Sequence, residues 1–301
     1  MKKLEVPIHL QIETVRGCNA RCIMCPLNYA ESEFEIKRGR MSEEIFKKII
    51  DKFIPYASKI KFVSLIGIGE PLLDKGLYEK IKYLKKRGFR NTAIATNADL
   101  LNEKKQVDLL ESGIDTIICS IDGIDKKTHE SIRLNTNFER VVKNVQACIK
   151  KRDEGNYKSR FLIRMITQEL NHHQWPKYVK YWEKFIDRKK KDDIIAFDVH
   201  NWSGTRVKEE NIDYTLPCAF MLEKLSIDFN GTIYFCFDGG ILKHLEIGNA
   251  LTEDPIAVYN KKIARYSRAF HREGLRGYLY LCRGCNIPNQ RRKRILSTAR
   301  Q

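Results

Sequence analysis

Three cysteines near the N-terminus have the spacing with the clearest chemical meaning. Cys18, Cys22 and Cys25 form a C-x3-C-x2-C pattern within eight residues. Cysteine thiolates are the usual protein ligands of iron–sulfur clusters, and a cubane of four irons takes four ligands. Three thiolates would leave one iron open to a substrate or cosubstrate. The weaker alternatives are three unrelated core cysteines or a zinc site, which usually has four protein ligands when it is structural.

A second group of cysteines lies in the C-terminal third of the chain: Cys218, Cys236, Cys282 and Cys285. Four thiolates complete the ligand set of a cubane cluster. They would also satisfy a four-cysteine zinc site, so zinc stays open as the less favoured alternative on spacing alone. The remaining two cysteines, Cys119 and Cys148, are expected in the core. Cys119 precedes Ser120 on a strand, so their side chains point to opposite faces.

Composition limits the class of protein. The chain has 301 residues, 43% of them hydrophobic, enough for one large domain or two modest ones. No apolar run approaches the ~20 residues that span a bilayer, and the N-terminus resembles no secretory signal. We therefore expect a cytoplasmic protein without a membrane partner, in which the cysteines, nine in all, are better explained by metal binding than by disulfides.

The net charge of +17 has two interpretations. Much of it is explained by a lysine-rich, solvated surface. It would also attract an anionic partner, such as a phosphorylated or nucleotide-linked substrate, an acidic electron-donor protein or RNA. Charge alone does not choose among these partners.

Strand and helix patterns alternate over residues 8–200. Strands are predicted at 8–12, 62–66, 92–96, 116–121, 161–167 and 194–200, separated by helices that include one beginning at Ser42 and one over 136–152. Such alternation predicts a parallel sheet of right-handed βαβ units. Six units predict an α/β fold, an open, partial (β/α)6 barrel like part of a TIM barrel. Its chemistry would lie at the carboxyl ends of the strands.

The pattern changes near residue 205, which divides a predicted barrel (1–205) from a C-terminal domain (206–301). Residues 225–229 and 232–237 predict two strands around the Asn230-Gly231 turn. Asp254 and Pro255 are typical of a helix start, with Ile256, Val258, Ile263 and Tyr266 as the expected apolar face. Residues beyond about 288 are predicted to form a basic tail or a last helix.

The first cysteine motif and three later segments resemble the radical S-adenosylmethionine (radical SAM) enzymes. Met24-Cys25-Pro26 completes the cysteine loop, and Gly67 to Leu73 resembles the GGEPLL segment after the second strand, with Ile68 in place of one glycine. Thr96-Asn97-Ala98 resembles the turn after the third strand, and Ser120-Ile121-Asp122-Gly123 the end of the fourth. Each motif is weak alone, but their ordered combination is specific.

The C-terminal cysteines resemble a SPASM/twitch region, in which an auxiliary cluster follows a radical SAM barrel. Full SPASM domains carry more cysteines and two auxiliary clusters, so this chain resembles the shorter twitch type with one. The four spacings are similar to those of twitch enzymes that oxidise an aminocyclitol alcohol to a ketone. An auxiliary cluster ligated by four cysteines would have no iron free for substrate. It would then act as an electron carrier or a structural element.

The resemblance implies two 4Fe–4S clusters and S-adenosylmethionine as cofactors. The cluster on Cys18, Cys22 and Cys25 would cleave S-adenosylmethionine reductively to a 5′-deoxyadenosyl radical that abstracts hydrogen from substrate. The cofactor-binding residues by match to the family are Gly69, Glu70, Pro71, Asn97, Ser120, Asp122 and Arg133. Alternatives are an ordinary turn for Gly69, a solvated loop carboxylate for Glu70, a core serine for Ser120 and a surface charge for Arg133.

Catalysis of an oxidation also needs a base. Asp198 and His200 lie two residues apart on one face at the predicted end of the sixth strand, and the pKa of an unperturbed histidine is near neutrality. We predict His200 as the base, although such a histidine is more often structural. Arg164 and Arg206 are candidates for binding an anionic substrate group.

The leading hypothesis is therefore a radical SAM oxidoreductase, dehydrogenase-like, acting on a small hydroxylated or amino substrate such as a sugar or cyclitol. Its electron donor would be a protein such as flavodoxin or ferredoxin. The second hypothesis is radical modification of a ribosomally made peptide or protein. RNA modification ranks third because no RNA-binding module is visible, and a non-enzymatic iron–sulfur carrier ranks fourth.

Overall fold

One nine-stranded sheet organises the protein. The computed structural model describes residues 4–29, 35–206, 211–236 and 245–290. The strands are β1 (His9–Ile12), β2 (Phe62–Ser64), β3 (Thr92–Thr96), β4 (Thr116–Ser120), β5 (Arg160–Thr167), β6 (Asp193–Asp198), β7 (Lys224–Ile227), β8 (Thr232–Tyr234) and β9 (Glu246–Asn249). Their order across the sheet is β6-β5-β4-β3-β2-β1-β7-β8-β9.

Strands β1 to β6 run parallel to their neighbours, as the alternating pattern predicts. The intervening helices are α1 (Pro26–Tyr29), α2 (Glu43–Asp51), α3 (Leu77–Lys86), α4 (Glu103–Glu111), α5 (Lys126–Ile132), α6 (Phe138–Glu154) and α7 (Trp175–Trp182). The prediction of a partial barrel with a parallel sheet is confirmed. Helix α5 was not expected from the sequence pattern.

Local sequence signals account for several helix starts. Ser42 precedes α2, and its hydroxyl accepts a hydrogen bond from the Ile45 amide at 3.1 Å. Helix α2 then buries Phe46, Ile49 and Ile50 against the sheet. These side chains join Leu10, Ile12 and the other inward residues of the strands in one main hydrophobic core.

The C-terminal strands extend the barrel sheet rather than forming a separate one. β7 pairs in parallel with β1, and β7, β8 and β9 then pair antiparallel. Gly231 has a φ of +88° in the turn between β7 and β8, a conformation that favours glycine. The predicted hairpin is confirmed for the described residues, while Phe237, at the end of its predicted second strand, lies outside them.

A buried charged cluster also joins β7 to the barrel. Arg16 pairs with Glu13 at 2.6 Å and with Asp228 at 3.1 Å. Asp228 follows β7, and it also accepts a hydrogen bond from the Tyr234 hydroxyl. The predicted boundary near residue 205 is therefore bridged by backbone pairing and by buried ion pairs.

The predicted helix after Asp254 begins as expected, since Asp254 accepts from the Ala257 amide and Ile256 and Val258 are buried, but its extent and the rest of its buried face are wrong. It is interrupted, giving α9 (Pro255–Tyr259) and α10 (Lys262–Arg272), and it follows a short helix α8 (Ala219–Glu223). Ile263 and Tyr266 are 59% and 57% exposed. The buried face of α10 instead consists of Ala264, Ser267, Arg268 and His271. Arg268 is buried because it pairs with Glu5 at 2.6 Å.

Within the described residues, no helix is both long enough and apolar enough to cross a membrane. The predicted basic tail falls largely on residues 291–301, which lie outside the described part of the chain.

A buried ion pair stabilises the barrel at the amino ends of β5 and β6. Arg152 on α6 contacts both carboxylate oxygens of Asp192, at 2.7 and 2.8 Å. Asp192 also accepts hydrogen bonds from the amides of Phe161 and Asp187. Its charge is thus compensated by four donors in a site without water contact.

We predict that Asp192→Asn lowers the free energy of unfolding by about 3 kcal/mol, because it leaves the fully buried Arg152 guanidinium with only the half-exposed Asp153, 2.8 Å from its Nε atom, as counter-charge. Urea denaturation measures the change. The matched control is Glu154→Gln, since Glu154 pairs with Lys150 at 3.6 Å on the surface and should cost at most about 1 kcal/mol. Equal effects of the two substitutions would refute the assignment.

Candidate functional site: two cysteine centres at the carboxyl end of the barrel

The first cysteine loop follows β1 and is fixed by a short strand pairing. Arg21 and Cys22 pair antiparallel with Leu134 and Arg133. Burial raises the pKa of the Cys18 thiol to about 11 and that of Cys25 to about 12. These thiols would stay protonated at neutral pH unless a metal displaced their protons. The loop is therefore not a site for a free thiolate, and its three thiols suit a thiolate-bound cluster.

Side-chain amides surround Cys18. The Asn97 side-chain nitrogen lies 3.7 Å from the Cys18 sulfur and donates to the side-chain oxygen of Asn19 at 3.0 Å. Asn19 in turn donates to Asp99. Asn97 follows β3, so the turn predicted after the third strand does lie beside the cysteine loop, where it orients the first cysteine.

Glu70 holds this end of the barrel together rather than facing solvent. It is 2% exposed, and its carboxylate accepts hydrogen bonds from the Thr96 hydroxyl and from the amides of Leu72 and Asn97. Burial raises the pKa of Glu70, and these three donors oppose the shift. The carboxylate therefore positions the loops, and Pro71 begins a short 3-10 helix directly after it.

Gly69 allows the backbone of this loop to approach the cysteine loop. A Cβ atom there would lie 2.1 Å from the Val15 carbonyl oxygen. The Glu70 amide also donates to the Gly17 carbonyl oxygen at 2.8 Å. Any side chain at residue 69 would separate the two loops.

Ile68, which departs from the family pattern, has a clear place. Its side chain is 7% exposed in a small apolar cluster with Leu27 and Tyr234, packed against Cys18 and Cys25. Its amide donates to Glu13 at 2.8 Å. Compared with the glycine of the family pattern, Ile68 thus adds an apolar side chain beside the cysteines. The loop backbone stays hydrogen-bonded to the barrel.

Asp122 and Arg133 form a buried ion pair behind Cys22. Their side chains approach to 2.8 Å and are 0% and 8% exposed, and Arg133 lies 3.6 Å from the Cys22 sulfur. Although burial opposes it, the charges of Asp122 and Cys22 raise the pKa of Arg133. Asp122 also accepts from the Ile166 amide, so both of its oxygens contact protein groups.

Ser120 and Arg164 lie side by side on β4 and β5. The Arg164 guanidinium donates to the Ser120 hydroxyl at 2.6 Å. Burial and the nearby charge of Arg133 lower the pKa of Arg164 to about 10. Among the described residues, its Nε atom is buried without a hydrogen-bond partner. This pair offers a cationic and a hydroxyl group to a bound molecule.

The two predicted catalytic residues, Asp198 and His200, lie in different environments. Asp198 is exposed at the end of β6 and accepts from the Thr167 hydroxyl at 2.8 Å. His200 lies beyond the strand, half-buried, with its ring 4.8 Å from that of Trp202. Because the Trp202 indole donates to the Met24 carbonyl oxygen, His200 lies near the cysteine loop. Arg206, predicted with Arg164, is on the turn that follows.

The second group of cysteines lines one cavity. Cys218, Cys236, Cys282 and Cys285 surround it with Met221, Leu281, His271 and Arg276 among the other lining residues. Burial raises the pKa of Cys218. In the described part of the chain, no three His, Cys, Asp or Glu side chains lie close enough to hold a single metal ion. The donor set of four thiols around a cavity suits a thiolate-bound cluster.

Two buried polar residues at this cavity were missed by sequence reasoning. His271 on α10 is 1% exposed and contacts the Cys282 sulfur at 3.3 Å, and Arg276 is also 1% exposed. Burial and the charge of Arg276 lower the pKa of His271 to about 4. The available signal was the spacing of Ala264, Ser267, Arg268 and His271 along one helix face.

Cys119 and Cys148 lie in the main hydrophobic core, and both are fully buried. The expectation that they are core residues is confirmed. They are therefore suitable controls for experiments on the other cysteines.

The turn Asn201–Gly204 connects the two cysteine centres. The Trp202 indole donates to the Met24 carbonyl oxygen of the first loop, whereas the Asn201 side-chain amide donates to the Gly284 carbonyl oxygen of the C-x2-C loop at 2.6 Å. Gly284 packs against Gly204, and both have positive φ angles of +86° and +81°. The two centres are thus held by neighbouring residues of one turn.

Comparison with curated proteins gives a partial match. The chain is 27% identical over 174 residues to the tungsten-containing aldehyde ferredoxin oxidoreductase cofactor-modifying protein of Pyrococcus furiosus, covering 58% of this chain and 47% of that protein. The chain thus spans about half the length of this relative.

Solved structures match over most of the chain. BtrN in complex with AdoMet and 2-DOIA has a TM-score of 0.64 at 19% identity, with 94% of each chain covered. Streptococcus suis SuiB bound to precursor peptide SuiA has a TM-score of 0.65 at 18% identity, covering 88% of this chain and 67% of SuiB. These likenesses establish the shared fold.

The family is established by a model of the radical SAM superfamily, which matches residues 12–168. This range includes the cysteine loop, Glu70, Asn97, Ser120, Asp122 and Arg133. The chain belongs to the radical SAM superfamily.

Proposed function

We propose that this protein is a radical SAM oxidoreductase with a twitch-like C-terminal region and one auxiliary 4Fe–4S cluster. Its substrate would be a small hydroxylated or amino compound, such as a sugar or cyclitol. Bound S-adenosylmethionine, cleaved reductively at the first cluster, would supply the radical that removes hydrogen from this substrate.

The observation that carries the proposal is the cavity lined by Cys218, Cys236, Cys282 and Cys285. Four thiolates saturate a cubane cluster, so substrate has no iron to bind. Such a cluster suits electron transfer, and a net two-electron oxidation needs an electron acceptor besides the radical. The turn that joins the two centres supports a functional connection between them.

The first centre fits the proposed cofactor in two respects. Gly69 lets its backbone lie against the cysteine loop, where a Cβ atom would overlap the Val15 carbonyl oxygen, and we assign the adjoining backbone to holding the methionine amine. Arg164 presents a buried guanidinium, which we assign to a carboxylate of the cofactor or to an anionic group of the substrate. Arg133 and Asp122 would then position Cys22, as their contacts with one another and with its sulfur favour.

Electrons and protons would need further partners. A cytoplasmic flavodoxin or ferredoxin is the proposed donor, since such carriers are acidic and this chain has a net charge of +17. His200 is retained as the proposed base because its ring lies beside Trp202 and hence near the first centre. Asp198, being exposed, is assigned to orienting the end of β6.

Peptide modification is the second candidate. It is favoured by the likeness to SuiB bound to its precursor peptide, which covers 88% of this chain. Native anSMEcpe with a bound peptide matches over 93% of this chain and 89% of that chain, so coverage does not separate the two candidates. We prefer the small-molecule assignment because the four cysteine spacings are similar to those of twitch enzymes that oxidise an aminocyclitol alcohol to a ketone.

Isotope transfer distinguishes the two. The anaerobically reconstituted protein is incubated with S-adenosylmethionine, dithionite and aminocyclitols deuterated at the carbinol carbons, or with deuterated peptides. We expect deuterium in 5′-deoxyadenosine and a ketone product from at least one aminocyclitol. Deuterium transfer from peptides alone would replace the small-molecule assignment with the second candidate.

The first prediction of this proposal concerns Glu70. Glu70→Gln replaces one carboxylate oxygen with an NH2 group. In the variant this donor would face an N–H or O–H group that donates to the carboxylate in the wild type. We expect a loss of about 1–3 kcal/mol in unfolding free energy and weaker binding of S-adenosylmethionine, measured by equilibrium dialysis. Glu79→Gln is the control, because Glu79 is exposed and pairs with Lys82 on the surface. Equal binding in both variants would contradict the positioning role.

The second prediction concerns the first centre. Replacing Cys18, Cys22 and Cys25 together with Ala should abolish formation of 5′-deoxyadenosine, measured by chromatography after addition of dithionite. Cys148→Ala, a core cysteine, should retain it. Reductive cleavage that persists in the triple variant would contradict the assignment of the catalytic cluster.

The third prediction concerns the auxiliary centre. Cys236→Ala should lower the iron content from about eight to about four per chain and stop ketone formation, while 5′-deoxyadenosine is still produced. Circular dichroism and first-cluster absorbance control for unfolding. A folded variant that still oxidises substrate at the wild-type rate would show that the auxiliary cluster only stabilises the fold. If the wild-type protein held one zinc and four irons per chain, the auxiliary site would be a zinc site rather than an iron–sulfur cluster.

A further inference from the structure

Two polar residues at the auxiliary cavity, His271 and Arg276, have no role in the account so far. Both are 1% exposed and both line the cavity with the four cysteines. Burial of polar groups is unfavourable unless they find partners. Their contacts therefore indicate what they do there.

The orientation of the His271 ring is determined by its neighbours. Its Nδ1 atom lies 3.1 Å from the Cys218 amide nitrogen, and its Nε2 atom lies 3.3 Å from the Cys282 sulfur. The amide can only donate, so Nδ1 must accept and the ring must be neutral with its proton on Nε2. That proton is then donated to the sulfur of a cluster ligand.

Arg276 brings a positive charge to the same cavity. Its guanidinium donates to the carbonyl oxygens of Cys282, Cys285 and Asp213 and to the Asn289 side chain, at 2.9 to 3.4 Å. These acceptors are neutral, and among the described residues no carboxylate forms an ion pair with Arg276. A cluster held by four thiolates is anionic, so the guanidinium would be a buried cation beside it.

Both groups act on a cluster in the same direction. A hydrogen bond to a ligand sulfur withdraws electron density from it, and a nearby cation stabilises the added negative charge of the reduced state. Hydrogen bonds to sulfur, net charge and burial are the known determinants of cluster potential. An electron acceptor requires a higher potential than a structural cluster needs.

We propose that His271 and Arg276 are positioning residues that raise the reduction potential of the auxiliary cluster and so make it an electron acceptor. His271 acts through its hydrogen bond to Cys282, and Arg276 through its buried charge beside the Cys282–Cys285 loop. The inference rests on the proposed function, because it requires an iron–sulfur cluster in this cavity.

The test is a potentiometric titration followed by electron paramagnetic resonance (EPR). The full chain carries Ala at residues 18, 22 and 25, so that only the auxiliary cluster is present. Into this background we would introduce His271→Leu and Arg276→Gln. Each should lower the midpoint potential, with at least a tenfold change in the equilibrium constant for reduction, about 59 mV for one electron. Conservative His271→Gln should recover part of the loss, since its amide can both accept and donate.

Arg272→Gln is the matched control. Arg272 lies one residue after His271 on the same helix but is 53% exposed and pairs with Glu5. Its loss removes the same charge in water, where screening is strong, and should leave the potential unchanged. Unchanged midpoints in folded His271→Leu and Arg276→Gln proteins that hold four irons would overturn the inference.

A second measurement covers variants that fail to assemble. Protein with ¹⁵N-labelled histidine, otherwise unaltered in this cavity, should show a weak nitrogen coupling to the reduced cluster through the Nε2–H···S bond. Lack of that coupling would remove His271 from the proposal. Zinc in place of iron in the background protein would refute the proposed cluster and the inference together. Iron with unmoved potentials would refute the inference alone.

Discussion

The buried pair of Asp122 and Arg133 is the contact on which the first centre depends. Asp122 follows β4, accepts from the Ile166 amide of β5 and donates its own amide to His129 on α5. Arg133 lies at the end of α5 and pairs through its backbone with Cys22. A single salt bridge therefore connects two barrel strands, one helix and the cysteine loop. Removing either partner would leave a buried charge without compensation.

The second constraint is the shared framework of the two centres. The sheet continues from β1 to β7, and the turn Asn201–Gly204 contacts both cysteine loops. Movement of the C-terminal region relative to the barrel would disrupt backbone pairing and the buried Arg16 cluster. Fixed spacing between two centres is what electron transfer between them or through substrate would require.

Much of the fold could be predicted because its signals are local. Apolar strand segments, capping residues such as Ser42 and the Asn230-Gly231 turn specify their elements without reference to distant residues. The cysteines and the strand-end motifs were likewise visible in the sequence. The order of motifs along the chain then matched the carboxyl ends of successive strands, where the structure places them.

What the sequence did not reveal depends on partners far along the chain. The face of α10 was misassigned because Arg268 and His271 resemble surface residues until Glu5 and Cys282 are placed beside them. The protein partners of Glu70 and Asp122 were not predicted either, and all their carboxylate oxygens contact protein groups. Their positioning roles come from tertiary contacts that no spacing rule encodes.

The central claim is that the chain holds two clusters, one with an open iron and one fully ligated. EPR spectra of the dithionite-reduced protein, recorded with and without S-adenosylmethionine, test it most directly. The account predicts two signals, of which S-adenosylmethionine changes only the one that is lost when Cys18, Cys22 and Cys25 are replaced. A single signal, or a change in the signal that depends on Cys218, Cys236, Cys282 and Cys285, would contradict it.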